Sequence, residues 1–223
     1  MISPNIIEKN LLRIREEIAP FKPNIIAVTK YCDETAIISA YKAGLRDFAE
    51  SRAVEAIEKI NNLPEDIREN SNFHFIGHLQ TNKVKKVISY FDFIHSIDSL
   101  KLAEMISDEA LKMNKIQKIF IQLNNACEEQ KFGFSKEVLL NSFDNICKLP
   151  AVCVIGLMNI APLNANENEL RTLFNDVKQI QDVLNKKFNC NMTEISMGMS
   201  NDYKIAVQCG STILRIGRKL FRQ

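Results

Sequence analysis

The chain has 223 residues, 46% of them apolar and 25% charged, with a net charge of +2. This is the composition of a globular protein, long enough for one substantial core or two small ones. The balanced charge argues against nucleic acid as a partner, because a phosphate backbone calls for a concentrated basic face. The densest basic cluster, Lys83, Lys85 and Lys86, reads as a solvated helix face.

Ser3 and Pro4 open a predicted helix over about 5–18, with Ser3 as cap, Pro4 at the first position and Ile6, Ile7, Leu11, Ile14 and Ile18 at helical spacing. This charged amphipathic start is unlike an apolar leader, so export is not expected and a cytoplasmic protein is. The apolar run Asn24-Ile25-Ile26-Ala27-Val28-Thr29-Lys30 reads as a buried strand over 24–30. Asp33 then caps a helix over 33–43 that stops at Gly44. Further strands are predicted at 46–51, 73–79, 92–97, 118–124, 152–160, 194–199 and 213–217. Between them lie amphipathic segments at 52–61, 81–89, 99–113, 135–148, 167–188 and 201–209, with Ser99 and Ser135 as caps and Gly210 as another stop. The longest uncharged stretch, 149–166, is interrupted by Pro150, Asn159 and Pro162 and predicts no membrane span.

Alternation of strand and helix along the whole chain predicts a parallel sheet covered by helices. Eight strand candidates favour an α/β fold closed as a single (β/α)8 TIM barrel with an extra N-terminal helix, over an open doubly wound sheet. The extra helix is expected across the barrel wall or bottom. No Gly/Ser/Pro linker divides the chain, so residues 1–223 read as one domain. The six cysteines, at 32, 127, 147, 153, 190 and 209, form no Cys-x-x-Cys pair and read as reduced thiols. His74 and His78 fall in a segment read as strand, where their spacing makes no metal site.

In a barrel, side chains at the carboxyl ends of the strands converge on one face. The candidates are Lys30, Glu50-Ser51, His78, Asp98, Asn124, Asn159, Ser196 to Ser200 and Arg215 to Gly217. A strand-end lysine whose ammonium reaches water is the bland reading of Lys30. Between apolar walls, however, its neutral form becomes more accessible, and a neutral amine attacks an aldehyde to form a Schiff base. Ser200-Asn201-Asp202 reads either as a simple cap or as an anion site at a helix start, and Gly198 and Gly217 let backbone amides approach an anion closely. Arg215 is either a structural ion-pair partner or a permanent donor to a pyridine nitrogen. Lysine, phosphate-competent turns and arginine together suggest pyridoxal phosphate. His78 borders such a site, whereas His74 reads as a satisfied interior histidine. Residues 128–133 form a polar loop, either a rim or a solvated turn.

At these residues the chain resembles the pyridoxal-phosphate homeostasis protein family, which shares its barrel with the amino-terminal domain of bacterial alanine racemase. The resemblance covers nearly the whole sequence. It is carried by Ala27-Val28-Thr29-Lys30, by the segment from Phe73-His74-Phe75-Ile76-Gly77-His78 to Lys83, by Gly156-Leu157-Met158, by Ser196-Met197-Gly198-Met199-Ser200-Asn201-Asp202, and by Gly210 to Gly217. It implies that Lys30 carries pyridoxal 5'-phosphate as an aldimine and that Arg215 faces the pyridine nitrogen. It also implies that Ser200, Gly217 and the Arg218 amide hold the phosphate, with Ser51, His78, Ser196 and Met197 completing the cofactor site. Two departures stand out. Ser51 occupies the position of the family's usual asparagine, and Arg218 that of a usual small residue.

Two classes of function follow, a non-catalytic cofactor binder and an amino-acid racemase or related enzyme. Racemisation needs acid/base groups on both faces of the cofactor. In the related racemases the second base comes from an additional β domain, which is expected to be absent because the chain ends at Gln223. The resemblance therefore points to a binder serving vitamin B6 and amino-acid homeostasis. That protein is expected to be a monomer and to meet apo pyridoxal-phosphate enzymes transiently. A lysine aldolase acting on phosphosugars shares the lysine and phosphate loops, but no acid/base partner is marked around Lys30.

Overall fold

Short apolar runs pair edge to edge in chain order. The computed structural model describes residues 2–126 and 132–222. Its strands are β1 (Asn24–Val28), β2 (Asp47–Glu50), β3 (Asn72–Phe75), β4 (Phe93–Ile97), β5 (Gln117–Leu123), β6 (Val152–Asn159), β7 (Glu194–Ser196) and β8 (Ile213–Ile216). They form a closed parallel barrel in which β8 returns to β1, as the alternation predicts. Successive residues on a strand face opposite ways, and two apolar layers result. Ile25, Phe48, Phe75, Ile94 and Ile119 belong to the large layer under the helices, whereas Ile26, Ala49, Phe120, Met158 and Ile213 form a small separate cluster inside the barrel.

The helices are α1 (Pro4–Glu17), α2 (Glu34–Lys42), α3 (Ala53–Asn61), α4 (Glu65–Glu69), α5 (Val84–Tyr90), α6 (Leu100–Lys112), α7 (Lys136–Cys147), α8 (Glu167–Phe188), α9 (Tyr203–Gln208) and α10 (Arg218–Phe221). Their starts follow capping chemistry. Asp33 accepts from the Thr35 amide at 3.1 Å, Ser99 from Leu102 at 3.3 Å and Ser135 from Val138 at 3.3 Å. Asn166 and Glu169 form a reciprocal capping box. Gly44 and Gly210, with φ of 91° and 92°, supply the left-handed stops. Ser3 departs from expectation: its hydroxyl caps nothing, and its carbonyl instead accepts from the Ile6 and Ile7 amides.

Three strands end two or more residues before their predicted runs do, and each shortfall moves candidate residues off the sheet. β1 stops at Val28, so Lys30 lies in a turn beyond it. β3 stops at Phe75, which puts Gly77 and His78 in the following loop rather than in a strand. β7 keeps only three residues, because the chain bends away at Gly198, where φ is 92°. The one-turn helices α4 and α10 and the 3-10 turn at Thr81–Lys83 are too short to leave a periodic signal.

α1 lies on the barrel wall against α2 and α10. The helix after β8 is one turn long, so α1 covers the wall that a full eighth helix would otherwise cover, burying Ile7, Leu11 and Ile14. Asn10 Nδ2 donates to the Leu220 and Arg222 carbonyls at 3.0 and 2.9 Å. Glu17 gathers Lys204, Tyr203 and Lys219, and these hold its carboxyl down to about 2.

Candidate functional site

Closure brings the two ends of the motif list side by side. In the β1–β8 register Ile26 lies opposite Arg215 and Ala27 opposite Ile216, so the segment leading to Lys30 runs along the strand that carries Arg215. Lys30 is half-buried in the turn after β1, with its Nζ 5.1 Å from the Tyr31 ring centroid. A Cβ on Gly217 would stand 3.2 Å from the Val28 carbonyl oxygen, so glycine lets the β8 loop approach β1 closely.

The loops after β7 and β8 form the next part. Ser200 Oγ accepts from the Lys219 amide at 3.3 Å, and the exposed Arg218 donates to Asn201 Oδ1 at 3.3 Å, which ties the two loops together. The first amides of a helix have no acceptor within it, and the Arg218 amide is one of these in α10. Asp202 accepts from the Met199 amide at 2.5 Å and closes the turn; burial pushes its carboxyl up. Met197 is fully buried in the layer under the helices, and its carbonyl accepts from Ser211 Oγ at 2.6 Å. Its side chain is therefore turned away from the barrel mouth, and only its backbone serves the loop.

Arg215 is buried and held from two sides. Nη1 donates to the Ser196 carbonyl at 2.6 Å and to Ser196 Oγ at 2.8 Å, and Nη2 donates to the Asn159 carbonyl at 2.8 Å. Burial lowers its pKa to about 10, against the pull of Asp202, so it stays charged at neutral pH. Five N–H groups belong to a guanidinium. Three of them are used in these bonds, and Nε and the second Nη2 hydrogen make none among the described residues; the Asn159 Oδ1 atom is likewise buried without a hydrogen-bond partner among the described residues.

Ser51 and His78 share the other side of the mouth. A Cβ on Gly77 would lie 2.0 Å from the Ser51 carbonyl oxygen, so that glycine is what lets the β2 and β3 loops touch. His78, 40% exposed, pairs with Asp98 at 3.2 Å and stacks on Phe132 with ring centroids 3.6 Å apart. A groove of about 310 Å³ lined by Ser51, Arg52, His78 and Lys83 borders this side; Lys30 and Arg215 are not among its walls. Of the predicted rim at 128–133, residues 128–131 lie outside the described residues.

Two arrangements escape sequence reading. Beneath Lys30, Lys59 on α3 pairs with Glu50 at 2.6 Å and donates to the Thr29 carbonyl at 2.9 Å, while Thr29 Oγ1 donates to the same Glu50 oxygen at 2.7 Å. Lys59 reads as an ordinary helix lysine, and nothing local marks it. The second is a run of buried polar side chains inside the barrel. His74, the expected satisfied interior histidine, is one member, and His95, which no motif singles out, is the next.

The sequence profile of the alanine racemase N-terminal domain matches residues 2–222. The pyridoxal phosphate homeostasis protein of Synechocystis is 37% identical over 99% of this chain and 98% of its own length. The chain belongs to the pyridoxal phosphate homeostasis protein family. The Aquifex aeolicus member is 36% identical over 88% of this chain and 85% of its own. Among solved structures, PipY of Synechococcus elongatus with PLP bound superposes with a TM-score of 0.88 at 34% identity, covering 97% of this chain and 100% of PipY. The alanine racemase of Clostridium difficile shares the fold at 15% identity, with a TM-score of 0.81 over 58% of its length.

Proposed function

We propose that this protein holds pyridoxal 5'-phosphate covalently through Lys30 and serves cellular vitamin B6 and amino-acid homeostasis without a dedicated catalytic turnover. The observation that carries the reading is the junction of β1, β7 and β8. It gathers a lysine, a charged arginine with unused donors and a two-loop anion cup within one mouth. The partnerless Asn159 Oδ1 and the close approach at Gly217 also suit a polar guest there.

Bound, the cofactor supplies an aldehyde that a lysine amine holds covalently and reversibly. Lys30 offers that amine. Arg215, always charged, donates to the ring nitrogen and leaves it unprotonated, which weakens electron withdrawal by the ring. Ser200 Oγ and the Gly217 and Arg218 amides take the phosphate, and the Arg218 side chain adds positive charge at the rim. Ser51 and His78 border the opposite side, and Ser196 acts through Arg215. The relatives that carry the homeostasis name match this chain almost end to end, which favours the carrier over the racemase reading. The whole chain works as one cofactor-binding unit, a cytoplasmic monomer that meets apo-enzymes transiently. None of the described helices is long and apolar enough to cross a membrane.

The purified protein is expected to be yellow and to show negligible racemisation, transamination or decarboxylation of the common amino acids. Steady turnover at about 1 per second or more, abolished by Lys30→Ala, would replace the carrier with an enzyme. A colourless protein that cleaves a phosphosugar would favour the aldolase.

The phosphate cup predicts that pyridoxal binds far more weakly than its phosphate ester. Ser200→Ala should cost about 2 kcal/mol of affinity for the ester, as for a hydrogen bond to a charged group, and little for pyridoxal. Titration calorimetry with both vitamers decides this, and equal affinities would move the phosphate elsewhere.

A further inference from the structure

TIM-barrel interiors are ordinarily filled by branched apolar side chains. Here a line of polar groups crosses the interior. Asp47, at the start of β2, lies 3.0 Å from His74 Nε2. His74 Nδ1 lies 2.9 Å from His95 Nε2, and His95 Nδ1 lies 2.9 Å from Ser196 Oγ. Ser196 Oγ then accepts from Arg215. The link from His95 to Ser196 joins β4 to β7, which are not neighbours in the sheet, so it spans the barrel lumen. Phe93 stacks on His74 at 4.4 Å and Phe120 on His95 at 4.0 Å, and these contacts fix the ring planes.

The ends of this line determine its polarity. Arg215 only donates, and an ionised Asp47 only accepts. Burial by itself raises the Asp47 carboxyl, but bonds from His74, Asn72 and Asn24 outweigh it and hold the group below its usual range. His95 is fully buried, and desolvation first, with the Arg215 charge beside it, lowers its pKa well below the usual range and keeps it neutral. For a His74 ring that carries a single proton, one arrangement satisfies every atom of the line. His74 Nε2–H donates to Asp47, His95 Nε2–H donates to His74 Nδ1, and the Ser196 hydroxyl donates to His95 Nδ1. A hydroxyl committed in that direction turns its lone pairs toward Arg215. The opposite polarity would set a bare His74 Nε2 against the Asp47 carboxylate, two acceptors 3.0 Å apart.

We infer that Asp47, His74 and His95 are positioning residues that act across the barrel to orient Ser196, and through it the guanidinium of Arg215 in the cofactor site. An apolar filling would serve the core as well or better, because buried polar groups rarely outperform packed hydrocarbon in stability. The line instead ends on the guanidinium whose remaining donors face no acceptor of the described protein. The inference rests on the reading of Arg215 as the partner of the ring nitrogen.

The test has two arms. Nitrogen-15 spectra of the cofactor-free protein should show His74 and His95 both in the Nε2–H tautomer, and Asp47→Asn should perturb His95 as well as His74. In the loaded protein, Asp47→Asn and His95→Phe should each shift the visible band and weaken binding of pyridoxal phosphate by roughly tenfold, the equivalent of one hydrogen bond. Asp47→Asn combined with Ser196→Ala should bind no more weakly than Ser196→Ala alone, because the two act along one line. An Nδ1–H tautomer at His95, additive losses, or an Asp47→Asn protein with wild-type band and affinity would overturn the inference. If His95→Phe does not fold, the tautomers and the Asp47→Asn series still decide it. A wild-type protein with no visible band would defeat the cofactor reading instead, and the tautomers would then decide the relay on their own.

Discussion

Lys30→Ala is expected to abolish the visible band of the loaded protein completely and to leave the fold intact. The side chain is half-buried in a turn beyond the end of β1 and belongs to neither apolar layer, so its removal opens no core cavity. The backbone around it is secured independently, by the Lys59 bond to the Thr29 carbonyl. Borohydride reduction of the wild-type protein followed by peptide mass mapping should find the cofactor on the Lys30 peptide alone. Modification at another lysine, such as Lys83 in the groove beside His78, would move the covalent site out of the β1–β8 junction. A Lys30→Ala protein that keeps its band would do the same.

The largest loss of stability is expected from Lys59→Met. Lys59 and Glu50 are about as buried as ionised side chains become, at 10% and 3% exposure, and their 2.6 Å contact is shared with Thr29. Removing one member strands the other as an uncompensated charge, which costs about 3–5 kcal/mol. The midpoint of urea unfolding should fall accordingly. The double variant Lys59→Met with Glu50→Gln should recover much of that loss, because it leaves no stranded charge. The same pair braces the turn that holds Lys30, so Lys59→Met should also weaken retention of pyridoxal phosphate under conditions where it remains folded. A single variant as stable as wild type would show that Glu50 finds water or another partner instead.

The sequence announces the barrel because period and punctuation agree. Apolar runs of strand length alternate with segments opened by Asp33, Ser99 and Ser135 and closed by Gly44 and Gly210, and the structure uses these residues in those roles. Residues near glycines and at strand ends were also legible, since Lys30, Ser200, Arg215 and Gly217 stand in motifs whose local chemistry is distinctive. What stayed hidden depends on distance across the fold. Lys59 looks like any helix lysine until the α3 axis aims it under β1, and His95 looks like any strand histidine until the lumen sets it against Ser196, 101 positions away. Strand ends were overestimated at β3 and β7, because apolar character continues past the point where Gly77 and Gly198 turn the chain. Ser3 kept the sequence signature of a cap, while the carbonyl took over the role that its hydroxyl was expected to play.

The wall formed by α1, α10 and the β1–β8 pairing has a consequence for how the molecule comes into being. During synthesis β1 leaves the ribosome long before β8 exists, and until then its outer edge presents unpaired amides and carbonyls to any other strand nearby. Contacts between residues some 200 positions apart, such as Asn10 with Leu220, are the slowest kind to form, because the intervening chain must first be ordered. The vulnerable interval of biogenesis therefore ends with this one seam. Lys30 and Arg215 stand on its two sides, and a molecule that bridges them binds only after it has closed. Such a ligand draws the population toward the sealed chain by mass action. If pyridoxal phosphate is that ligand, as proposed, cells starved of the vitamin are expected to hold less of this polypeptide, through faster proteolysis of copies still open at the seam.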